Sequence, residues 1–333
     1  MDRRKLLAAA ATLALALAAP LAPARAADDV RIALVVKALG IGFFEAAEKG
    51  GQEAAKELGH VELIYTGPTT TTAEGQIDTI NALIAQHVNA IAITANDPDA
   101  LVPILKKAMG RKIAVVSWDS AVAPEGRQAF LAPSSTPLIG QTLAKLAAEP
   151  IEGKGEIAIL STTPTATNQN AWNEAFKQAL PDHPNLKLVT TVYGEDLADK
   201  SYRETVALLQ AHPEVRMIVA PTSIGIVAAA QAIEDQGKVG KVFVTGLGLP
   251  SELAGHVKAG SVKSFAIWNP VDLGYAAVTM AYNVATGKAE AGPGKTIPIG
   301  RLGSVTLDQN GDAVMAPPTI YDSSNVEAAA KLF

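Results

Sequence analysis

Short β-branched runs alternate with amphipathic segments along the chain, and this alternation restricts the possible folds more than any other sequence feature. The elements predicted for the first half are strands at 31–36, 61–65, 90–94 and 113–117 and helices at 43–58, 74–87 and 101–109. Strands of this kind joined by helical crossovers form an open parallel sheet with helices on both faces. We therefore predict a doubly wound sheet for this half.

The same alternation begins again near residue 138 and continues to residue 267. A length of 333 residues also exceeds what one core usually serves, so two lobes are expected. The fold class is thus predicted as α/β, with two doubly wound parallel-sheet lobes joined by a multi-strand hinge. The candidate crossings between the lobes are 131–135 and 268–270.

These patterns also suggest boundaries for the domains. We predict a signal peptide at 1–26, a first lobe at 27–132 plus 269–297, and a second lobe at 133–268 plus part of 298–333. Within the tail, Gln309-Asn310-Gly311 separates two short extended runs, 304–308 and 312–315. This arrangement is typical of a β-hairpin on an Asn-Gly turn.

The N-terminus has the features of a secretory signal. A basic segment precedes the apolar run 6–19, and Ala24-Arg25-Ala26 is a small-x-small cleavage site. The alternative is a membrane anchor, but the apolar run is shorter than the roughly 20 residues of a spanning helix, and Pro20 and Pro23 come directly after it. We predict cleavage after Ala26 and a periplasmic location.

Composition and charge exclude several function classes. The chain contains no Cys, which excludes thiol catalysis, Cys-based zinc sites and lipidation at an N-terminal Cys. A formal net charge of −5 without basic blocks argues against a nucleic-acid partner. None of the five His follows a predicted strand, so no metal site and no cofactor are predicted. We expect a monomer.

The candidate site residues come from a rule of open α/β sheets, in which ligands lie beyond the carboxyl ends of the strands. The side chains that follow the predicted strands or lie near the start of the next helix are Lys37, Phe43, Phe44, Trp118, Asp119, Asn168, Gln169, Trp172, Pro221, Ser223, Trp268 and Asn269. They include every Trp of the chain. Aromatic rings pack on the apolar faces of a sugar, and carboxylates and amides bind its hydroxyl groups, so we predict a sugar site.

Each of these residues also has a structural interpretation. A Trp after a strand is more often part of the core, and Lys37 could extend its ammonium group to the surface. Asp119 could cap a turn, and Asn168 could cap its helix. The prediction depends on the convergence of the whole set.

Two other function classes place different demands on the sequence. A sugar hydrolase needs paired carboxylates, but only Asp119 clearly follows a strand, with Asp272 a weak second. A sugar-responsive transcription regulator needs a helix-turn-helix ahead of the first strand, where this chain has the predicted signal peptide. We predict that the protein is not an enzyme.

Five dispersed motifs resemble a known family: Lys37-Ala38-Leu39-Gly40-Ile41-Gly42-Phe43-Phe44, Tyr65-Thr66-Gly67-Pro68-Thr69, Ser117-Trp118-Asp119-Ser120, Thr167-Asn168-Gln169-Asn170 and Ala266-Ile267-Trp268-Asn269-Pro270. Over nearly the whole mature chain, the sequence is similar to the periplasmic sugar-binding proteins of type I fold. It resembles the rhamnose-binding proteins of ABC transporters most. The resemblance implies an importer's solute-binding protein that closes two lobes on a small neutral sugar and delivers it to a permease in the inner membrane.

Relatives that bind the furanosyl quorum-sensing autoinducer share part of this pattern. Their Lys and Asp match Lys37 and Asp119, and their Gln and Pro match Gln169 and Pro221. They have Asp where this chain has Asn168, and Ala where it has Ser223. The resemblance therefore implies a neutral deoxyhexose such as rhamnose, with the autoinducer or another pentose or hexose as the alternative.

Overall fold

Two parallel sheets with flanking helices form the architecture of residues 29–333, the part of the chain that the computed structural model describes. The predicted signal peptide and its cleavage site lie outside these residues. Between 29 and 333, no helix combines the length and the apolar character that crossing a bilayer requires.

The strands of the described residues are β1 Val30–Val35, β2 Val61–Thr66, β3 Ala90–Ile93, β4 Ala114–Trp118, β5 Ala129–Ala132, β6 Gly155–Ser161, β7 Leu186–Tyr193, β8 Val215–Ala220, β9 Phe243–Gly246, β10 Ser264–Ile267, β11 Thr296–Pro298, β12 Ser304–Thr306, β13 Asp312–Val314 and β14 Thr319–Asp322. The α-helices are α1 Gly42–Leu58, α2 Ala73–Ala85, α3 Val102–Gly110, α4 Thr136–Ala148, α5 Thr167–Ala179, α6 Ala198–Ala211, α7 Ser223–Asp235, α8 Pro250–Ala259, α9 Pro270–Ala285 and α10 Val326–Ala329.

The first lobe is built on a six-stranded sheet of order β13-β5-β4-β3-β1-β2, and all of its pairs are parallel. The second lobe has a four-stranded parallel sheet of order β7-β6-β8-β9. In the first sheet β1 pairs with both β2 and β3, and in the second sheet β6 pairs with both β7 and β8. The strand order therefore reverses at an equivalent place in the two sheets. Ligands of such sheets bind at this reversal, beyond the carboxyl ends of the strands.

Apolar side chains on both faces of the strands explain why the sheets are buried. Every residue of β3 and the last four residues of β1 have no exposed surface. Parallel strands with this composition need helices on both sides. On one side α1 packs against α9 so closely that a Cβ on Gly274 would lie 1.9 Å from the carbonyl oxygen of Ala47.

The chain passes between the lobes three times. The segments 133–135, between β5 and α4, and 268–269, between β10 and α9, coincide with the predicted crossings. A third segment, 315–318, joins β13 of the first sheet to β14, which pairs with β10 beside the second sheet. The predicted fold class, two doubly wound lobes with a multi-strand hinge, is confirmed; the predicted lobe boundaries stay a prediction.

The predicted hairpin in the tail is wrong. β12 pairs antiparallel with β11, whereas β13 pairs parallel with β5. The Asn-Gly turn itself forms, and the Gly311 N–H donates to the carbonyl oxygen of Asp308. The strand that follows pairs with β5 instead, and the Arg127 guanidinium group donates to the Gly311 carbonyl oxygen and, over 2.6 Å, to Asp312 Oδ1.

Candidate ligand-binding site

A cavity lies between the carboxyl ends of the two sheets and encloses about 420 Å³ of atom-free space, part of it at the open mouth. The lining residues come from both lobes: Lys37, Ile41, Phe43, Phe44, Asp119, Asn168, Gln169, Trp172, Asp196, Pro221, Thr222, Ser223, Leu247, Ile267 and Trp268.

Ten of the twelve predicted site residues line this cavity: Lys37, Phe43, Phe44, Asp119, Asn168, Gln169, Trp172, Pro221, Ser223 and Trp268. Trp118 does not line it. As the last residue of β4 it is fully buried, and its ring meets Phe44 edge to face with centroids 6.0 Å apart. Its position is that of a core residue.

Asn269 also lies outside the cavity lining. Its side chain caps α9, with Oδ1 accepting from the N–H groups of Val271 and Asp272 and Nδ2 donating to Asp272 Oδ2. An Asn directly before a Pro-initiated helix is a common cap, and this contact accounts for the residue.

A polar network joins the two lobes across the cavity. Lys37 Nζ donates to Asn168 Oδ1 over 2.9 Å, and Asn168 Nδ2 donates to Asp119 Oδ2 over 3.2 Å. Thr94 Oγ1 donates to the same Asp119 oxygen over 2.9 Å. Lys37 and Asp119 follow strands of the first lobe, whereas Asn168 lies on α5 of the second, so the side chains meet only when the lobes are close together.

This network decides between the alternative interpretations of its members. Lys37 is 3% exposed and Asp119 is 5% exposed, so neither side chain extends to the surface. The residue before α5 is Ala166, and no side chain caps the helix, so Asn168 is not its cap. Asp119 also has a left-handed backbone with φ of 58°, a conformation that Asp adopts more readily than most residues.

Burial shifts the pKa values of the two ionisable groups of the network in opposite directions. Burial lowers the pKa of Lys37, and the attraction of Asp119 and Asp196 opposes this shift. Burial raises the pKa of Asp119, opposed by the charge of Lys37 and by the hydrogen bonds from Thr94 and Asn168. Each ionised group is therefore stabilised mainly by its partners in the cavity.

Aromatic rings form the apolar wall of the cavity. Trp268 follows β10 and meets Trp172 of α5 with ring centroids 5.3 Å apart. Phe43, at the start of α1, meets the same Trp268 edge to face at 6.3 Å. The rings thus come from both lobes and from one crossing segment. They line the cavity next to the hydrogen-bonding groups, a combination suited to a sugar ring.

The sequence interpretation missed five lining residues: Ile41, Asp196, Thr222, Leu247 and Ile267. Asp196 matters most chemically, because it is a second carboxyl group in the cavity. It comes three residues after the end of β7, so the same strand-end rule indicates it. Burial raises the pKa of Asp196, and both Lys37 and the hydrogen bond from Thr222 oppose that shift.

A carboxyl group also lies at the contact between α8 of the second lobe and α1 of the first. A Cβ on Gly42 would lie 2.5 Å from Glu252 Oε1, so this carboxyl group lies directly against the start of α1. Glu252 Oε2 is buried and has no hydrogen-bond partner among the described residues. Burial and the nearby charge of Glu45 raise the pKa of Glu252 to about 7.

Residues 32–289 match the sequence profile of a family described as "Periplasmic binding protein domain". The match covers more than half of the chain. This protein belongs to the periplasmic binding protein family. Within it, the protein is a member of the sugar-binding group that works with ABC transporter permeases, and it is a solute-binding protein and not an enzyme, as predicted. The family is exported to the periplasm.

Three similar proteins place this periplasmic binding protein more closely. An ABC transporter solute-binding protein of Clostridium phytofermentas, solved with bound L-rhamnose, is 33% identical, with a TM-score of 0.88 over 92% of this chain and 100% of that chain. The D-ribose/D-allose-binding protein of Pseudomonas aeruginosa is 31% identical over 73% of this chain and 79% of its own length. LsrB of Clostridium saccharobutylicum, solved with AI-2, is 24% identical over 90% of this chain and 99% of that chain; its TM-score of 0.85 shows a shared fold.

Proposed function

We propose that this protein captures L-rhamnose in the periplasm, after removal of residues 1–26, and delivers it as a monomer to an ABC permease in the inner membrane. The supporting observation is the cavity, in which Lys37, Asp119 and Asn168 face an aromatic wall. The rhamnose-bound relative from Clostridium phytofermentas, similar over 92% of the chain, supports the choice of sugar.

The chemistry of the lining residues suits a neutral sugar. Asp119 accepts from hydroxyl groups, Lys37 donates to them, and Asn168 and Gln169 do both. The rings of Trp172 and Trp268 suit the apolar C–H faces of the sugar. A sugar that lacks one of these hydroxyl groups leaves a buried partner unpaired, and this cost gives the cavity its selectivity.

Lobe closure is the proposed capture mechanism. The ligand-binding groups lie on both lobes, so a sugar that contacts both binds the closed form far better than the open one. The crossing segments act as the hinge. The closed form is then the one that the permease recognises.

D-Ribose or D-allose is the second candidate ligand, because the Pseudomonas aeruginosa relative that bears both names is 31% identical. The autoinducer is a weaker candidate, because Asn168 supplies an amide where the autoinducer-binding relatives are expected to have a carboxylate.

A thermal-shift screen of the mature protein tests these alternatives. We expect L-rhamnose to raise the unfolding temperature most, because the ligand with the lowest Kd stabilises the folded state most at equal concentration. A ligand at 100 times its Kd stabilises the folded state by about 2.7 kcal/mol. D-Ribose, D-allose and AI-2 are the competitors. Stabilisation by D-ribose, D-allose or AI-2 without stabilisation by L-rhamnose would overturn the choice of sugar, and no stabilisation by any ligand of the screen would overturn the site.

A further inference from the structure

The loop that follows β7 holds a carboxyl group in the cavity through an unusual backbone. Glu195 and Asp196 have φ values of 57° and 53°, so two successive non-glycine residues adopt the left-handed backbone conformation. Such conformations cost free energy and persist where the surrounding structure enforces them. Here the N–H groups of Gly194 and Glu195 donate to the carbonyl oxygens of Ser161 and Thr162, over 2.8 and 2.9 Å.

The carboxyl group itself is fixed on one side only. Asp196 Oδ1 accepts from Thr222 Oγ1, and Thr222 is the cap of α7, where its hydroxyl also accepts from the Gly225 N–H. No other side chain of the described residues hydrogen-bonds to the carboxyl group of Asp196. The second oxygen therefore retains its accepting capacity, although the residue lines the cavity.

The loop also contacts the opposite lobe. Thr71 Oγ1, after β2 of the first lobe, donates to the carbonyl oxygen of Glu195 over 2.9 Å. Closure of the lobes thus brings a first-lobe hydroxyl onto the residue next to Asp196. The closed arrangement of the lobes therefore also fixes the position of the Asp196 carboxyl group.

Among the lining residues, all within the described chain, Asp119 and Asp196 carry negative charge and Lys37 carries positive charge. With both carboxyl groups ionised, these three side chains carry a net charge of −1. A carboxylate or phosphate on the ligand would meet net repulsion, whereas hydroxyl hydrogens would find acceptors on both lobes.

We propose that Asp196 is a specificity-determining residue whose free oxygen accepts one hydroxyl group of an uncharged ligand from the side of the second lobe. Asp119 accepts from the side of the first lobe. The proposal rests on the proposed function, because it assigns a role within the same sugar cavity. It adds that the ligand must present hydroxyl groups in two opposed directions.

The first test compares two variants with the same change of charge. Asp196→Asn keeps an oxygen for Thr222 and removes the anionic acceptor, so we expect the Kd for L-rhamnose in calorimetry to rise about tenfold. Asp199→Asn is the control, because Asp199 lies three residues away on the exposed face of α6, and its side-chain partner there is Arg203. It should leave the Kd within about twofold. An unchanged Kd in Asp196→Asn would overturn the proposal.

The second test identifies the hydroxyl group. The 1-, 2-, 3- and 4-deoxy analogues of L-rhamnose are titrated into the wild type and into Asp196→Asn. We expect one analogue to bind about tenfold more weakly than L-rhamnose to the wild type and to lose most of that difference in the variant. Equal weakening of every ligand by Asp196→Asn would show an indirect effect and overturn the proposal.

The outcomes separate this proposal from the proposed function. Binding of L-rhamnose without coupling at any hydroxyl group leaves the function in place and removes Asp196 from the site. If D-ribose binds and L-rhamnose does not, the choice of sugar is wrong. The same cycle with D-ribose and its deoxy analogues then decides the role of Asp196.

Discussion

Glu252 should make sugar binding depend on pH. The carboxyl group lies where α8 of the second lobe meets Gly42 of α1, so closure of the lobes moves it from water into contact with the first lobe. The groups that face it are Glu45 on α1 and, across a groove on its own lobe, Asp199 and Arg203, which pair with each other over 2.6 Å. We predict that closure takes up a proton at Glu252.

The size of the effect follows from the pKa. If the carboxyl group has its ordinary pKa of 4.5 in the open form, a rise to about 7 in the closed form corresponds to at most about 3 to 4 kcal/mol. The side chain is partly exposed, and the N-terminus of α1 favours the anion. We therefore expect about 1.4 kcal/mol of this, or tenfold in Kd, to be lost between pH 5 and pH 8. The raised pKa fixes the sign: closure is most favourable below pH 4.5 and loses this contribution as the pH rises through about 7.

Calorimetric titration of L-rhamnose at pH 5, 6, 7 and 8 measures this dependence in the wild type and in Glu252→Gln. The wild type should bind about tenfold more weakly at pH 8 than at pH 5, and Glu252→Gln should give a flatter profile and tighter binding at pH 8. Asp119, Asp196 and Lys37 titrate in both proteins, so the difference isolates Glu252. Glu45→Gln should give an intermediate profile. Identical profiles for wild type and Glu252→Gln would refute the reasoning.

Two further predictions concern affinity and stability. Asp119→Ala should cost roughly 1.5–3 kcal/mol of sugar binding, the range for a hydrogen bond to a charged group, and an unchanged Kd in calorimetry would remove Asp119 from the site. Gly274→Ala should destabilise the fold by about 3 kcal/mol in urea unfolding, because its Cβ would meet the backbone of Ala47. The control Gly255→Ala, with nothing within 4 Å, should be neutral or stabilising by up to about 1 kcal/mol; equal effects would contradict the packing argument.

The fold could be predicted because the spacing of apolar residues along the chain indicates the order of its strands and helices. A strand such as β3, apolar on both faces, and a following helix with one apolar face have few other solutions. The tail could not be predicted in the same way. Its strand β13 pairs with β5 and contacts Arg127, 185 residues before Asp312, and no local pattern shows those contacts.

The candidate site was predictable to the extent that it follows strand ends. Lys37 and Asp119 come directly after apolar strands, and their side chains share one polar network. Trp118 comes one residue too early: it still belongs to β4, and its ring packs into the core beside Phe44. Asp196 was missed although it lies three residues after β7, where the same strand-end rule applies; a left-handed turn places it at the cavity.

A crystal structure of the mature protein with L-rhamnose tests the central claim most directly. We predict density for one sugar ring inside the cavity, against Trp172 or Trp268, with hydrogen bonds from at least one polar side chain of each lobe. A ring bound by one lobe alone, or at a different surface, would contradict the account.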